Sequence, residues 1–526
     1  MAAYESRLSI RYDDPADGGG VDETPDDHDV ERLRLSDVGK LARRAQKRVV
    51  AAARVEDRPT FRKLFAEHLG VPGERATLVK ETWAAYDHVN VQAGLDAWLA
   101  EPGRSHRIVG VTNFRHQDIG FAELIREVPR EYFHFPVPGN VARVNLPSGP
   151  GGQVRACVVC AAYLVDDHGT PVVLLLRQGD PEMGQSSTTL EVAALDEDTV
   201  TRVAADVRRL ALVHNVYRGQ VVSFAQHMFG EVRGALTFHE RPTMTADDLI
   251  LPPEALDAVT RQVVGVREHR DRLRAAGQHL KRGLLLYGPP GVGKTHTVRY
   301  LTAALRDTTI VVLSGASLGM IGVACSVARE LQPAMIVVED VDLIAEERGM
   351  HPGQHPLLFQ LLNEMDGLAE DADVVFLLTT NRADVLEPAL AQRPGRVDQA
   401  VAIDLPDLDA RRRLFALYRG DLDVDESRLD TVLERLEGVT ASFLKELLRR
   451  AALVAAADQA GQADDGSGEG SGDGSGDGSG DGSGDGSGDG PLRVSADHLD
   501  DALDELLHTR NSMTRALLGS PSPGGA

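Results

Sequence analysis

Eight consecutive residues, Gly288-Pro289-Pro290-Gly291-Val292-Gly293-Lys294-Thr295, have the types and spacing to bind nucleotide phosphates. An aliphatic run from Leu284 to Tyr287 precedes them and a helical pattern from His296 to Leu305 follows, so the glycines fall at a strand-to-helix turn. At such a turn, backbone N–H groups converge on phosphate oxygens and the helix N-terminus adds partial positive charge. Lys294 would neutralise the β- and γ-phosphates, and the Thr295 hydroxyl would ligate Mg²⁺.

Two more runs deliver polar groups from buried strands. Met335-Ile336-Val337-Val338 reads as a strand of a parallel sheet and ends in adjacent carboxylates, Glu339 and Asp340. The C-terminal ends of such strands are where α/β sheets bind ligands. Val374 to Thr380 is a second buried run, ending in Asn381, whose amide can orient a water against a γ-phosphate. Arg393-Pro394-Gly395-Arg396 then presents two guanidiniums around a Pro-Gly turn.

Taken in this order, the stretch from about Leu251 to Leu507 resembles an AAA ATPase module of the AAA+ superfamily. The resemblance implies an α/β fold: a P-loop parallel-sheet module with a small helical lid, here preceded by a helical and α/β N-terminal region. It implies ATP and Mg²⁺ as cofactors, residues 288–295 as Walker A, Glu339-Asp340 as Walker B and Asn381 as sensor 1. Arg393 and Arg396 match arginine fingers that reach a neighbouring subunit's nucleotide, which implies a homo-oligomer, a hexameric ring. Leu358 to Gly367 is similar to a helix of AAA proper.

Two features depart from the family pattern. Most relatives place Asp before Glu at the end of Walker B, whereas Glu339 precedes Asp340 here. Neighbouring strand residues face opposite ways, so position assigns the role: Glu339 to the metal with Thr295, and Asp340 to the attacking water. The order is similar to that of the mitochondrial AAA family that translocates the Rieske iron-sulfur protein. The second departure is Gly319-Met320-Ile321-Gly322, where the family carries an aromatic pore loop. Only Val323 to Gln332 remain before Pro333, which leaves the helix about two turns short. Met320 and Ile321 either grip a threaded chain or pack in the core, and the sequence leaves both readings open.

Helical patterns at Arg411 to Tyr418, Leu429 to Leu436, Ser442 to Ala457 and Ser495 to Leu507 suit the lid, assigned to 406–512. Within it, 464–490 settles into five copies of Ser-Gly-Asp-Gly from Ser471 onward. A tract without apolar residues cannot offset its ordering entropy and is expected to be disordered. Residues 513–526 read as a flexible tail. Lys445 and Arg449 lie on a solvated lid face, and no sensor 2 arginine appears.

The first half is less legible. Residues 1–29 read as an acidic, solvated tail, 30–150 as a mainly helical region and 151–245 as an α/β recognition domain, with the ATPase large subdomain at 246–405. Within 30–150, Thr60 to Leu99 reads as helical with a break near Gly70-Val71-Pro72-Gly73. Strands are expected at Val154 to Val165, Pro171 to Leu176, Thr188 to Ala193 and Gln220 to Phe224, with a helix at Thr199 to Val213. Cys157 and Cys160 have a redox spacing but face opposite sides of one strand, which favours buried thiols. His239-Glu240 lacks the second histidine of a zinc-protease motif, so similarity to the AAA zinc metalloproteases stops at the ATPase module.

With 526 residues and a net charge of −24, the chain has room for two or three domains and disfavours nucleic acid as a partner. No apolar run reaches the roughly 18 residues of a membrane span and no signal-peptide pattern opens the chain, so membrane insertion is not expected and the cytoplasm is. The resulting expectation is an ATP-driven ring motor that remodels or disassembles a protein client. The alternative is a nucleotide-gated assembly scaffold with slow or no hydrolysis.

Overall fold

A computed structural model describes residues 60–112, 119–126, 135–179, 185–224, 236–342, 356–383, 397–465 and 491–508. All lie in the compact unit Thr60–Ala526. The unit begins with helix α1 (Phe61–Leu69), strand β1 (Thr77–Ala84), helix α2 (His88–Leu99) and strand β2 (Arg104–Thr112). The strand Thr77–Ala84 corrects the expectation of helix through this stretch. Its residues alternate between half-buried and exposed and pair antiparallel with β8. That two-residue period, rich in Thr, Val and Trp, belongs to an edge strand with one covered side.

Strands β3 (Val137–Gly139), β4 (Arg143–Pro147), β5 (Val154–Val158), β6 (Cys160–Asp167), β7 (Thr170–Arg177) and β8 (Ser187–Ala194) follow, and then helix α3 (Glu197–Val213). Six strands form an antiparallel sheet in the order β1-β8-β7-β6-β2-β3. One face packs Tyr163, Leu174 and Leu176 against Trp98 of α2 and Val203 of α3. The opposite face packs Leu164, Val173 and Leu175 against Phe61 and Phe65 of α1. Being covered on both sides explains why β7 is a continuous apolar run. Val154 to Val165 proves to be two strands broken at Val159, with β5 pairing β4 in a separate hairpin. Cys157 and Cys160 are free, buried and in different cores, and burial pushes their thiols up to about 11 and about 12.

The second sheet has seven strands: β9 (Val221–Phe224), β10 (Leu236–His239), β11 (Arg282–Tyr287), β12 (Thr309–Leu313), β13 (Ala334–Val338), β14 (Val374–Thr380) and β15 (Gln399–Ala402). Their order is β10-β9-β12-β13-β14-β11-β15, parallel except for β10. Helices α4 (Pro253–Thr260) and α5 (Lys294–Ala304) cover one face, and α6 (Ile321–Glu330) and α7 (Pro356–Asp366) the other. The boundary expected at residue 245 is therefore corrected. Strands β9 and β10, assigned by sequence to the recognition domain, extend the P-loop sheet, because the β9 backbone finds its parallel partner in β12.

Helix α2 and the β4–β5 hairpin of the first half share a core with the P-loop sheet. Val89 and Cys157 from the first half, with Tyr217, Val222 and Phe224, lie in the same apolar cluster as Leu313, Ile336 and Phe376. The connecting loop is pinned at both ends: Val216 N donates to Asn90 Oδ1 at 2.9 Å, and Gly219 N donates to Thr309 Oγ1 at 3.0 Å. Arg241 donates to the carbonyls of Gly219, Thr302, Leu305 and Thr308, which ties the chain leaving β10 to the C-terminal end of α5. A cation at a helix C-terminus also meets the negative end of its dipole.

Helices α8 (Leu408–Arg419), α9 (Leu429–Arg435), α10 (Ala441–Asp465) and α11 (Ala496–His508), with the short pair β16 (Asp423–Val424) and β17 (Arg493–Val494), build the lid around its own core. Helix α10 outlasts the sequence expectation by a further two turns and runs to Asp465. The rest of the Gly/Ser/Asp tract lies outside the described residues, as do the segments 1–29 and 513–526.

Candidate nucleotide site

The P-loop leaves β11, which lies inside the sheet between β14 and β15. Gly288, Gly291 and Gly293 have φ of 149°, 80° and 116°. Glycine is required most strictly at 288, where a Cβ would stand 2.1 Å from the Ile403 carbonyl oxygen. Val292 is the anchor of the loop, buried in the core beneath α5, while Pro289 and Pro290 are exposed. Gly293 caps α5, so the first-turn N–H groups of that helix point out of the loop with no helical acceptors.

Lys294 is 7% exposed, and its Nζ donates to the Gly288 and Pro289 carbonyls, each at 2.8 Å. Burial pulls its pKa down, opposed by the charges of Asp340 and Asp342. The Thr295 hydroxyl lies beside the Glu339 carboxylate and favours its charged form. Asp340 turns the other way: Asn381 Nδ2 donates to its Oδ1 at 3.2 Å. The structure thus brings Lys294, Thr295, Glu339, Asp340 and Asn381 to one end of the sheet, with the two carboxylates separated between a hydroxyl and an amide. A cavity of about 880 Å³ opens beside them, with Thr295 and Glu339 in its wall. Arg393 and Arg396 lie outside the described residues.

Three side chains that sequence reasoning missed hold this arrangement. Asp342, 7% exposed, accepts from Thr380 Oγ1 at 2.8 Å and from Asn381 N at 3.2 Å. Thr379 Oγ1 accepts the Asp340 N–H at 3.1 Å. The only local signal was a carboxylate two residues beyond Asp340 and a Thr pair at the end of a buried strand. From the lid, Ser442 donates its N–H to Gly291 O at 3.2 Å, which seats α10 on the loop.

Residues 284–405 match the family described as "ATPase family associated with various cellular activities (AAA)". They form an AAA ATPase domain. A stretch of 231 residues is 33% identical to an ATP-dependent zinc metalloprotease FtsH of Thermus thermophilus, covering 41% of this chain and 37% of that protein. A second such protein, from Sphaerobacter thermophilus, is 36% identical over 228 residues, covering 41% of this chain and 35% of its own length. The chain spans little more than a third of the length of these relatives.

The AAA domain takes ATP with Mg²⁺. The residues present fit that pair: a glycine cradle for phosphates, a buried ammonium to neutralise them, and a hydroxyl beside a carboxylate as hard oxygen donors for the cation. When bound, Mg²⁺ supplies charge neutralisation at the phosphates.

The electrostatics of Glu339 carry a prediction. Burial first, and the adjacent Asp340 second, push its carboxyl above the ordinary range, while the neighbouring Thr295 hydroxyl pulls it down. Were Glu339 to hold the cation, a proton would compete with it at higher pH than at an ordinary glutamate, and that ligand would be lost as pH falls through the raised value. Mg²⁺ titrations of fluorescent-nucleotide binding between about pH 8 and about pH 5 are expected to weaken on acidification. Glu339→Gln is expected to bind Mg²⁺ more weakly throughout and with a flatter pH profile.

Proposed function

We propose that the protein hydrolyses ATP as a ring of identical AAA subunits, a hexamer, in the cytoplasm, and that it uses this cycle to remodel or disassemble a protein client. The observation that carries the reading is the division of labour at the strand ends, with Glu339 on Thr295 and Asp340 on Asn381. In this reading Glu339 and Thr295 hold Mg²⁺, Lys294 and residues 288–293 hold the phosphates, and Asp340 polarises the attacking water with Asn381 orienting it. Arg393 and Arg396 of a neighbouring subunit stabilise the charge that develops on the transferred phosphoryl group.

Of the two routes by which such a ring moves a client, the geometry favours shape change over threading. Ile321 is 2% exposed, Leu318 is 4% exposed, and Met320 packs against the same core, so the segment at the pore-loop position has its apolar groups turned inward. Helix α2 and the β4–β5 hairpin share that core, which gives nucleotide-driven movement of the AAA domain a direct path to the first half of the chain. Among the described residues no helix is long and apolar enough to cross a membrane.

The test is steady-state ATP hydrolysis against protein concentration, for the wild type and for Arg396→Ala mixed with Lys294→Ala. Specific activity that rises with concentration is expected, with partial recovery in the mixture, because each variant supplies what its neighbour lacks. ATP binding without turnover at any concentration would overturn the reading in favour of a nucleotide-gated scaffold.

A further inference from the structure

Among the described residues, only His168 and Asp340 combine a side chain with a positive φ, and Asp340 stands at 52°. That region crowds Cβ against the following carbonyl, and the short side chains of Asp and Asn tolerate it best. The reason the backbone turns there is visible in the hydrogen bonds. Glu339 N still donates to Leu313 O at 2.9 Å, the last rung between β13 and β12. One residue later the Asp340 N–H has left that ladder, and the Thr379 hydroxyl on β14 accepts it. Thr379 is 3% exposed, so its hydroxyl sits at the sheet end as a fixed acceptor. Asn381, one residue beyond the end of β14, donates its Nδ2 to the Asp340 carboxylate.

We propose that Thr379 is a positioning residue for ATP hydrolysis: by accepting the Asp340 N–H it sets the left-handed backbone that makes aspartate, rather than glutamate, the carboxylate that fits at the end of β13. The inference rests on the reading of Asp340 as the water-polarising residue. It accounts for the Glu-Asp order as a consequence of backbone geometry. Glu339 is the last extended residue and reaches sideways to Thr295, while Asp340 is turned back toward β14.

The test compares Thr379→Val, which keeps the shape and removes the acceptor, with Thr379→Ser, which keeps the acceptor. Thr379→Val is expected to lower kcat by about 10- to 100-fold, the scale of a misplacement of about 1 Å, with KM for ATP within about twofold. Thr379→Ser is expected to retain most of the wild-type rate. A second readout needs no nucleotide: amide hydrogen exchange in a peptide covering 336–342 is expected to accelerate in the Val variant and not in the Ser variant. The reversed pair, Glu339→Asp with Asp340→Glu, leaves Thr379 untouched and is expected to turn over more slowly than the wild type. A Val variant with wild-type kcat and unchanged exchange would overturn the proposal, as would a reversed pair faster than the wild type. If instead Asp340→Asn keeps full turnover, the reading of Asp340 fails, whatever Thr379 does.

Discussion

Asp340→Asn is expected to lower ATP turnover by about 10²- to 10⁴-fold, the range for losing a positioned general base, while Mg²⁺-dependent nucleotide binding stays near the wild-type value. The separation follows from the geometry. The groups that would hold nucleotide and cation are Lys294, Thr295 and Glu339, and none of them is hydrogen-bonded to Asp340. Asn keeps an oxygen to accept from Asn381 Nδ2, tolerates the left-handed backbone and sits at an exposed position, so neither the fold nor the strand end is expected to move. Rapid-quench hydrolysis beside equilibrium binding of a fluorescent ATP analogue reads the two properties separately. Equal loss of both would mean that Asp340 is a binding group and that the division of labour between the two carboxylates is wrong. In the proposed ring the same variant is expected to isolate the nucleotide-bound state, because binding without turnover holds it there.

The site was legible in the sequence where chemistry and local structure coincide. The glycines of the P-loop are demanded by positive φ at 288, 291 and 293, and the runs before Glu339 and Asn381 are apolar because β13 and β14 are buried on both faces. What escaped depends on partners distant in sequence. Asp342 and Thr379 act across strands about 40 residues apart, and nothing in their immediate neighbours marks them. Strand β1 was read as helix because an edge strand with Leu78, Lys80 and Thr82 on its outer face and Glu81 on its inner one lacks the strict apolar alternation that distinguishes a two-residue period from a helical one. The assignment of β9 failed for a different reason: a four-residue strand does not announce which sheet it joins, and only pairing with β12 decides that.

That pairing lies at the junction between the first half of the chain and the outer strands of the ATPase sheet. Tyr217 is 3% exposed, its hydroxyl donates to the Tyr86 carbonyl at 2.6 Å, and its ring lies 5.5 Å from that of Phe238. Tyr86 in turn packs edge-on against Phe224, at 6.4 Å between centroids, so aromatic rings bridge the first half of the chain and the outer strands of the ATPase sheet. Tyr217→Ala is expected to destabilise the protein by about 3–5 kcal/mol, the range for deleting a large buried aromatic, with a hydrogen bond lost in addition. Because the cluster is continuous with the core under β12, β13 and β14, chemical denaturation is expected to show the shift in the transition that reports both sheets. Tyr217→Phe keeps the ring and is expected to cost about 1 kcal/mol, separating packing from hydrogen bonding. Two transitions, only one of them moved by Tyr217→Ala, would mean that the sheets unfold independently. A nucleotide-driven change in the AAA domain would then need a route to the N-terminal sheet other than this shared core.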